Sequence, residues 1–390
     1  MKIALFTDCF IPHLDGVVIS TLNLAKGLAD RGHKIYITAP GFKNIKEFEY
    51  KNIVVKRIPG IPSFFYSGLK FTTPFNTQVF KFLKKEKIDI IHLQTPLTIG
   101  INARIFTKYL KVPLIGTFHT LFMHEQYLEH IKITNKIMQK TGWKYAKRFY
   151  NKCDIITCPT ESIKKELIKR GFKSPILAIS NGVDFKKFDN SNQRKIKEKY
   201  NPDGKLLLFV GRIASEKNLF YLVDCFKYVL EKMPSAKLIL VGDGPLMKKL
   251  KIQVHKMGLA ENIIFTGRIE HKDLISSSIF EACNLFVTAS KTETQGISML
   301  EAQSNGLVCV GLDANGTKDL ITDGYNGFLI NEGDKKGFAE KILMLLNNAK
   351  LHEKMKRNTL KEVKKHSMNR IIDTWEKTYQ DLIKSKKKVK

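Results

Sequence analysis

No run of 18 or more apolar residues occurs in the 390-residue chain, so no helix of it is expected to cross a bilayer. Its opening, MKIALFTDCF, lacks the long apolar core and small-residue cleavage site of a signal peptide and reads as a first strand. Cytoplasmic residence is the expectation. The six cysteines (Cys9, Cys153, Cys158, Cys225, Cys283, Cys309) show no C-x-x-C pair and no metal-ligand spacing, which predicts reduced, buried thiols. No D-x-D occurs, so the commonest sequence mark of a metal-assisted nucleotide-sugar site is missing. The loop after the first strand is not G-x-G-x-x-G, which leaves a nicotinamide site poorly supported. Acid is scarce: 37 Asp and Glu stand against 66 Lys and Arg, a net charge of +29. Arginine is scarcer still, at 10 of those 66. Specific readers of phosphate and base favour its rigid fork, so the shortage leans against nucleic acid. The absence of helix-turn-helix, zinc or RNP-type motifs leans the same way.

What is present is a regular alternation. Short apolar runs at 2–7, 34–39, 53–58, 88–93, 113–118, 154–159 and 175–180 are separated by helix-length amphipathic spacers. The rhythm restarts after the polar, turn-rich segment 190–205, with runs at 206–211, 237–242, 262–267, 284–289 and 307–312. Near-continuous apolar runs at such spacing predict parallel strands covered on both faces. The length exceeds what one core usually serves. The expectation is therefore an α/β protein of two doubly wound domains, 1–190 and 191–355, with a cleft between the carboxyl ends of their sheets. A basic helical tail, 356–390, follows. The charge is uneven: residues 1–190 carry +17, residues 191–355 carry +4 and the tail carries +8. A basic first half and tail imply an anionic surface as partner.

The chemistry sits in the loops after the apolar runs. In SKTETQGISMLEAQ (290–303), Glu293 and Glu301 stand eight apart across Gly296, between a strand and a short helix closed by Gly306. A helix starting near Gly296, Ile297 and Ser298 offers N–H groups and a positive dipole end to a diphosphate, with a carboxylate on either side for hydroxyls. On spacing alone a solvated surface pair reads equally well. In VGRIASEKN (210–218), Arg212 and Lys217 follow a strand end, placed to neutralise phosphate; ordinary surface charge is the alternative. FIPHLDGVVIST (10–21) puts Gly16 where the backbone can approach a ligand closely; a simple turn reads equally well. GTFHT (116–120) puts His119 at a central strand end, where it could bond a sugar hydroxyl; His92 in IIHLQ is a weaker candidate of the same kind, and a structural role fits either.

Taken in order, NGVD (181–184), GRIASEKN, GDGP (242–245) and SKTETQGISMLEA with its E-x7-E resemble the retaining glycosyltransferases of family four, which have the GT-B fold. The resemblance covers essentially the whole chain. It implies that Arg212 and Lys217 hold the donor diphosphate, that Glu301 binds the ribose, and that Glu293 contacts the transferred sugar. It further implies that Gly296, Ile297 and Ser298 complete the cradle, that Arg268 and Ile269 lie by the base, and that Gly16 approaches the diphosphate. His119 would touch the sugar and act in catalysis. Many members have Gly-Gly where this chain has Asp15-Gly16, which leaves Asp15 as an acceptor-side group or a turn residue. No nucleophilic carboxylate other than Glu293 presents itself. The expected mechanism is same-face substitution in which the leaving phosphate takes the acceptor's proton, with fixed cations in place of a metal and no cofactor beyond the nucleotide sugar.

Two further stretches bear on the acceptor. IPSFFYSGLKFTTPFNTQVFKFLKKEK (61–87) joins six Phe and one Tyr to Lys81, Lys84, Lys85 and Lys87, a composition suited to a bilayer interface. In 127–152, Lys132, Lys136, Lys140 and Lys144 recur every fourth residue beside Trp143, a stripe roughly 20 Å long on a helix. A solvated face of a packed helix is the alternative. If the tail returns to the first domain, as in the family, +25 of the charge lies on one side. The whole is similar to the diacylglycerol glucosyltransferases, whose His-Thr motif TFHTLF resembles. The expected reaction moves glucose from UDP-glucose to diacylglycerol, by a peripheral enzyme on an anionic membrane; the alternative is a soluble retaining hexosyltransferase with a carbohydrate acceptor.

Overall fold

The computed structural model describes residues 1–63, 69–119, 136–185, 188, 192–201 and 204–388. They form two compact units. Of the described residues, the first takes those up to Gly182 and those from Met368 onward; the second takes those between Val183 and Ser367.

The first unit is built on a seven-stranded sheet. Its strands are β1 (Lys2–Phe6), β2 (Lys34–Pro40), β3 (Ile53–Ile58), β6 (Ile90–Leu93), β7 (Leu114–Thr117), β8 (Ile155–Cys158) and β9 (Ile176–Ala178). The order is β3-β2-β1-β6-β7-β8-β9, and every pairing is parallel. A small antiparallel hairpin, β4 (Gly60–Pro62) with β5 (Lys70–Thr72), stands apart from it. Helices α1 (Gly16–Asp30), α2 (Thr77–Glu86), α3 (Thr98–Leu110), α4 (Lys136–Tyr150) and α5 (Glu161–Lys169) fill the crossovers. The buried runs of β1, β6 and β7 carry no alternation, because helices cover both faces.

The second unit has β10 (Leu206–Val210), β11 (Lys237–Val241), β12 (Ile263–Gly267), β13 (Leu285–Thr288), β14 (Val308–Leu312) and β15 (Gly327–Ile330). They pair in parallel in the order β12-β11-β10-β13-β14-β15. Its helices are α6 (Gln193–Tyr200), α7 (Leu219–Leu230), α8 (Met247–Lys256), α9 (His271–Ile275), α10 (Ile279–Ala282), α11 (Ile297–Ser304), α12 (Lys335–Asn347) and α13 (Ala349–Val363). The β15 run, GFLI, is too short and too glycine-led to stand out in the sequence.

Both boundaries differ from the sequence expectation of 190 and 355. The Val183 N–H donates to the His366 carbonyl at 3.0 Å, which fastens both ends of the second unit together. The stretch expected as one tail helix is two. The first, α13, packs on α11 in the second unit, and only the C-terminal helix (Met368–Lys388) joins the first unit. There Tyr379 bonds His92 at 2.7 Å, Arg31 meets Asp373 at 2.5 Å, and His33 meets Glu376 at 2.6 Å. The described residues of the first unit carry 34 basic and 13 acidic residues, so +21 of the charge, rather than +25, belongs with that unit.

All six cysteines are buried with free thiols. Among the described residues no helix is long and apolar enough to cross a membrane.

Two predictions come from this packing. Burial holds His119 and His366 down to about 4 and pushes His92 well below the ordinary histidine value of 6.5. Folded values below the unfolded one mean that the unfolded chain takes up protons first. Stability is thus full above pH 6.5 and is lost as pH falls from there towards 4, by up to about 1.4 kcal/mol per pH unit for each histidine. Thermal midpoints across that window should fall, and His366→Asn should flatten the slope. Second, Gly242 has φ +139°, and a Cβ there would sit 1.9 Å from the Gly211 carbonyl oxygen. Gly242→Ala should destabilise the second unit by at least about 2 kcal/mol, read by denaturant unfolding.

Candidate functional site

In each sheet the strand order turns at one point, where neighbouring strands lead their loops in opposite directions and leave a crevice at their carboxyl ends. In the second unit that point lies between β10 and β13, with β11 on the far side of β10 and β14 beyond β13. The loop after β10 carries Arg212 and Lys217, and the loop after β13 carries Glu293. The Lys217 ammonium donates to a Glu293 carboxylate oxygen across 76 residues of sequence. Their side chains are 21% and 18% exposed, so the pair is open enough to exchange partners with a ligand. The Ser290 hydroxyl donates to the Glu216 carbonyl at 3.0 Å, which ties the two loops by a second contact. The sequence placed these two residues in one site without pairing them.

Arg212 is held by Glu216. Its Nε and Nη2 donate to one carboxylate oxygen at 3.1 and 2.6 Å. Glu216 is buried, in a 3-10 turn (Ser215–Lys217) that the sequence did not single out. The loop itself is set by the neighbouring strand: the Ile213 N–H donates to the Asp243 carbonyl at 2.9 Å, and the Leu246 N–H to the Ile213 carbonyl at 3.0 Å. That is the local use of GDGP.

Helix α11 begins where expected. Gly296 is its N-cap with φ +77°, a conformation that glycine adopts without strain. Gly296 has no side chain with which to cap this end, and the N–H groups of the first turn at Ile297 and Ser298 lie at the helix's positive dipole end. The Gly316 N–H donates to the Glu293 carbonyl at 2.9 Å and fixes the loop that delivers the carboxylate. Glu301, one turn on, is nearly buried, and His271 Nε2 bonds its Oε1 at 2.6 Å. His271 opens α9 just after β12 and was missed in the sequence, where only its position three residues after Arg268 hinted at it. Arg268 is exposed and pairs with Glu270 at 3.1 Å; Ile269 packs against the apolar core behind the site.

In the first unit the sheet turns between β1 and β6. The Val18 N–H donates to Asp15 Oδ1 at 2.9 Å, making Asp15 the N-cap of α1. That gives the residue standing in place of the family's glycine a structural duty. Gly16 follows as the exposed first residue of α1. His119, past the end of β7, bonds Gln94 past the end of β6 at 2.7 Å. Burial keeps the imidazole neutral at neutral pH, so it can accept or donate one hydrogen bond but carries no charge. His92 is not a site residue. It is fully buried between Tyr379 and Thr117, at 2.7 and 2.6 Å.

The basic stretches are only partly as expected. Lys81, Lys84 and Lys85 are exposed on α2, and Lys136, Lys140 and Lys144 on α4. Lys132, with Phe64, Phe65 and Tyr66, lies outside the described residues. Trp143 is not a free interfacial aromatic: it stacks on buried Phe118 with ring centroids 6.0 Å apart, under the Arg170 guanidinium at 3.9 Å. Phe80 and Phe82 pack against the core, which leaves Ile61, Phe71 and Phe75 as the large exposed apolar groups among the described residues of that stretch.

Residues 190–362 match the model of the family described as Glycosyl transferases group 1, and residues 14–187 that of Glycosyltransferase Family 4. The chain is 30% identical over 367 residues to the alpha-monoglucosyldiacylglycerol synthase of Streptococcus pneumoniae (strain ATCC BAA-255 / R6), covering 91% of this chain and 82% of that one. It is 25% identical over 402 residues to the alpha-monoglucosyldiacylglycerol synthase of Acholeplasma laidlawii, covering 100% and 99%. Anabaena Alr3699/HepE, solved in complex with UDP-glucose, superposes with a TM-score of 0.77 at 18% identity over 98% of this chain and 100% of that one. With that fold, those models and those relatives, the chain belongs to glycosyltransferase family 4 and has the GT-B fold.

Proposed function

We propose that this chain moves glucose from UDP-glucose to the free hydroxyl of diacylglycerol, with retention at the anomeric carbon and without a bound metal. The observation that carries the reading is the Lys217–Glu293 pair at the N-terminus of α11. In this pair the cation suited to phosphate and the carboxylate suited to sugar neutralise each other. A nucleotide sugar would replace that contact with two better ones: phosphate oxygens on Lys217, Arg212 and the Ile297 and Ser298 N–H groups, and sugar hydroxyls on Glu293. Glu301, oriented by His271, would accept from the ribose hydroxyls. In the transfer, the acceptor oxygen bonds to the anomeric carbon on the face the diphosphate leaves. The C–O bond to phosphate breaks with its electron pair going to the phosphate, and that oxygen takes the acceptor's proton. Little bond-making falls to the protein, so rate comes from positioning and from stabilising the charge that grows on the diphosphate. Neutral His119 would serve as a hydrogen-bond partner of the sugar.

The lipid acceptor and the membrane rest on two supports. Both synthases named above make a glucosyl diacylglycerol. The basic excess also sits in the stretches of sequence that build the first unit, where each lysine near an anionic surface contributes about 1 kcal/mol. The protein would work as a peripheral enzyme on the inner face of the cell membrane.

With radiolabelled UDP-glucose, a chelator and diacylglycerol vesicles in anionic lipid, label should enter the organic phase. UDP release with all label left in water, the glucosyl group having gone to water, would overturn the lipid acceptor and leave the catalytic reading standing. Separately, Lys217→Ala and Glu293→Ala should each lower kcat by about 100-fold or more with unfolding midpoints near wild type; a loss confined to KM would remove them from the transition state.

A further inference from the structure

At the end of the first unit's sheet opposite His119, four helices stop together. Asp89, Pro113 and Asp154 immediately precede β6, β7 and β8, and beside them lie the carboxyl ends of α2, α3, α4 and the C-terminal helix. Two adjoining cavities of about 420 and 640 Å³ open there, with Lys111, Val112 and Lys386 common to both. Their rim is cationic: Lys84, Lys87 and Lys387 line one, and Arg104, Lys108 and Lys152 the other. Their walls are apolar, formed by Leu83, Ile88, Leu110, Leu382 and Ile383, with Tyr109 left 69% exposed.

The plain explanation is that lysines complement the negative ends of helix dipoles. It covers one or two cations per helix and leaves two facts over. First, the cations are not balanced. Among the described residues Lys84, Lys87, Lys108, Lys111, Lys152 and Lys387 form no ion pair. Of the two lining carboxylates, Asp89 accepts from the Lys2 N–H, and Asp154 from the Leu114 N–H and Lys386. Second, α2 and α3 each end on a lysine in the left-handed region, Lys87 at φ +54° and Lys111 at φ +53°. Glycine or asparagine ordinarily takes that position, because a Cβ strains the backbone there. Two lysines bear that strain, and both line the same cavity.

We propose that this groove binds an anionic lipid, the phosphate of its headgroup among the lysines and the start of its chains on the apolar wall. The ligand's chemistry follows from that pairing of walls: a soluble anion would use the rim alone, and a neutral lipid the wall alone. Because the groove lies at the far end of the sheet from His119, its occupant is an anchor and not the acceptor. The proposal deepens the membrane reading and rests on it.

The strain supplies a test in which fold and binding move in opposite directions. In the full chain, Lys87→Gly with Lys111→Gly should leave the thermal midpoint unchanged or raise it, while affinity for phosphatidylcholine vesicles containing phosphatidylglycerol falls roughly tenfold or more. Lys248→Gln with Lys249→Gln, exposed on α8, removes the same charge and should bind like wild type. If groove and control variants bind alike, the groove is wrong and the membrane reading stands. If wild type ignores the anionic vesicles, both fail. If inorganic phosphate at matched concentration displaces the protein as well as the vesicles do, the site is one for free phosphate and the lipid is overturned.

Discussion

Parallel pairing is the constraint on which everything else in this molecule depends. Strands that all run one way deliver all their carboxyl ends to one edge. Residues separated by tens of positions therefore meet in loops although no strand brings them together. In the second unit that edge gathers Arg212, Gly242, Arg268 and Glu293, one from the loop after each of four strands. Where the order turns, between β10 and β13, the loops part and leave room for a ligand instead of for each other. Lys217 and Glu293 close that gap with a single ion pair.

The same pairing explains why the site is prearranged yet electrically quiet. Each cation has a carboxylate at hand: Arg212 has Glu216, and Lys217 has Glu293. Glu301, in turn, has His271. Such pairs hold long side chains in one place at modest net energy, because in a part-buried ion pair the cost of desolvation offsets much of the attraction. A weak pair in a half-open site is easily exchanged for a phosphate or a hydroxyl. The first turn of α11, which starts on a glycine, adds N–H groups that need no side chain to aim them.

Much of this was legible in the sequence, for identifiable reasons. Runs such as LLLFV and KLILV are buried on both faces, so they announce parallel strands without any alternation to decode. The loops after them then have a predictable place, which is why Arg212, Lys217, Glu293 and Gly296 could be gathered before any contact was known. Pairings between loops were not legible. Nothing local to HKDL says that His271 reaches Glu301, and nothing in IIHLQ says that His92 spends both nitrogens on Thr117 and Tyr379. Trp143 misled because an aromatic beside lysines looks the same whether it meets lipid or, as here, Phe118. The tail misled because the break near Ser367 is a short 3-10 turn inside a continuous helical pattern. The left-handed lysines could not be seen at all, since φ is not written in residue type.

The central claim is that Lys217 and Glu293 give up each other for the donor. The most direct measurement is calorimetric titration of UDP-glucose, in the presence of a chelator, into wild-type protein and into Lys217→Ala, Glu293→Ala and the double variant. If the pair is a shared donor site, wild type binds, each single variant binds less tightly, and the two effects are not additive, since each removal also strands its partner. Binding that is unchanged in all three variants, or that appears only when a divalent metal is restored, would contradict the account.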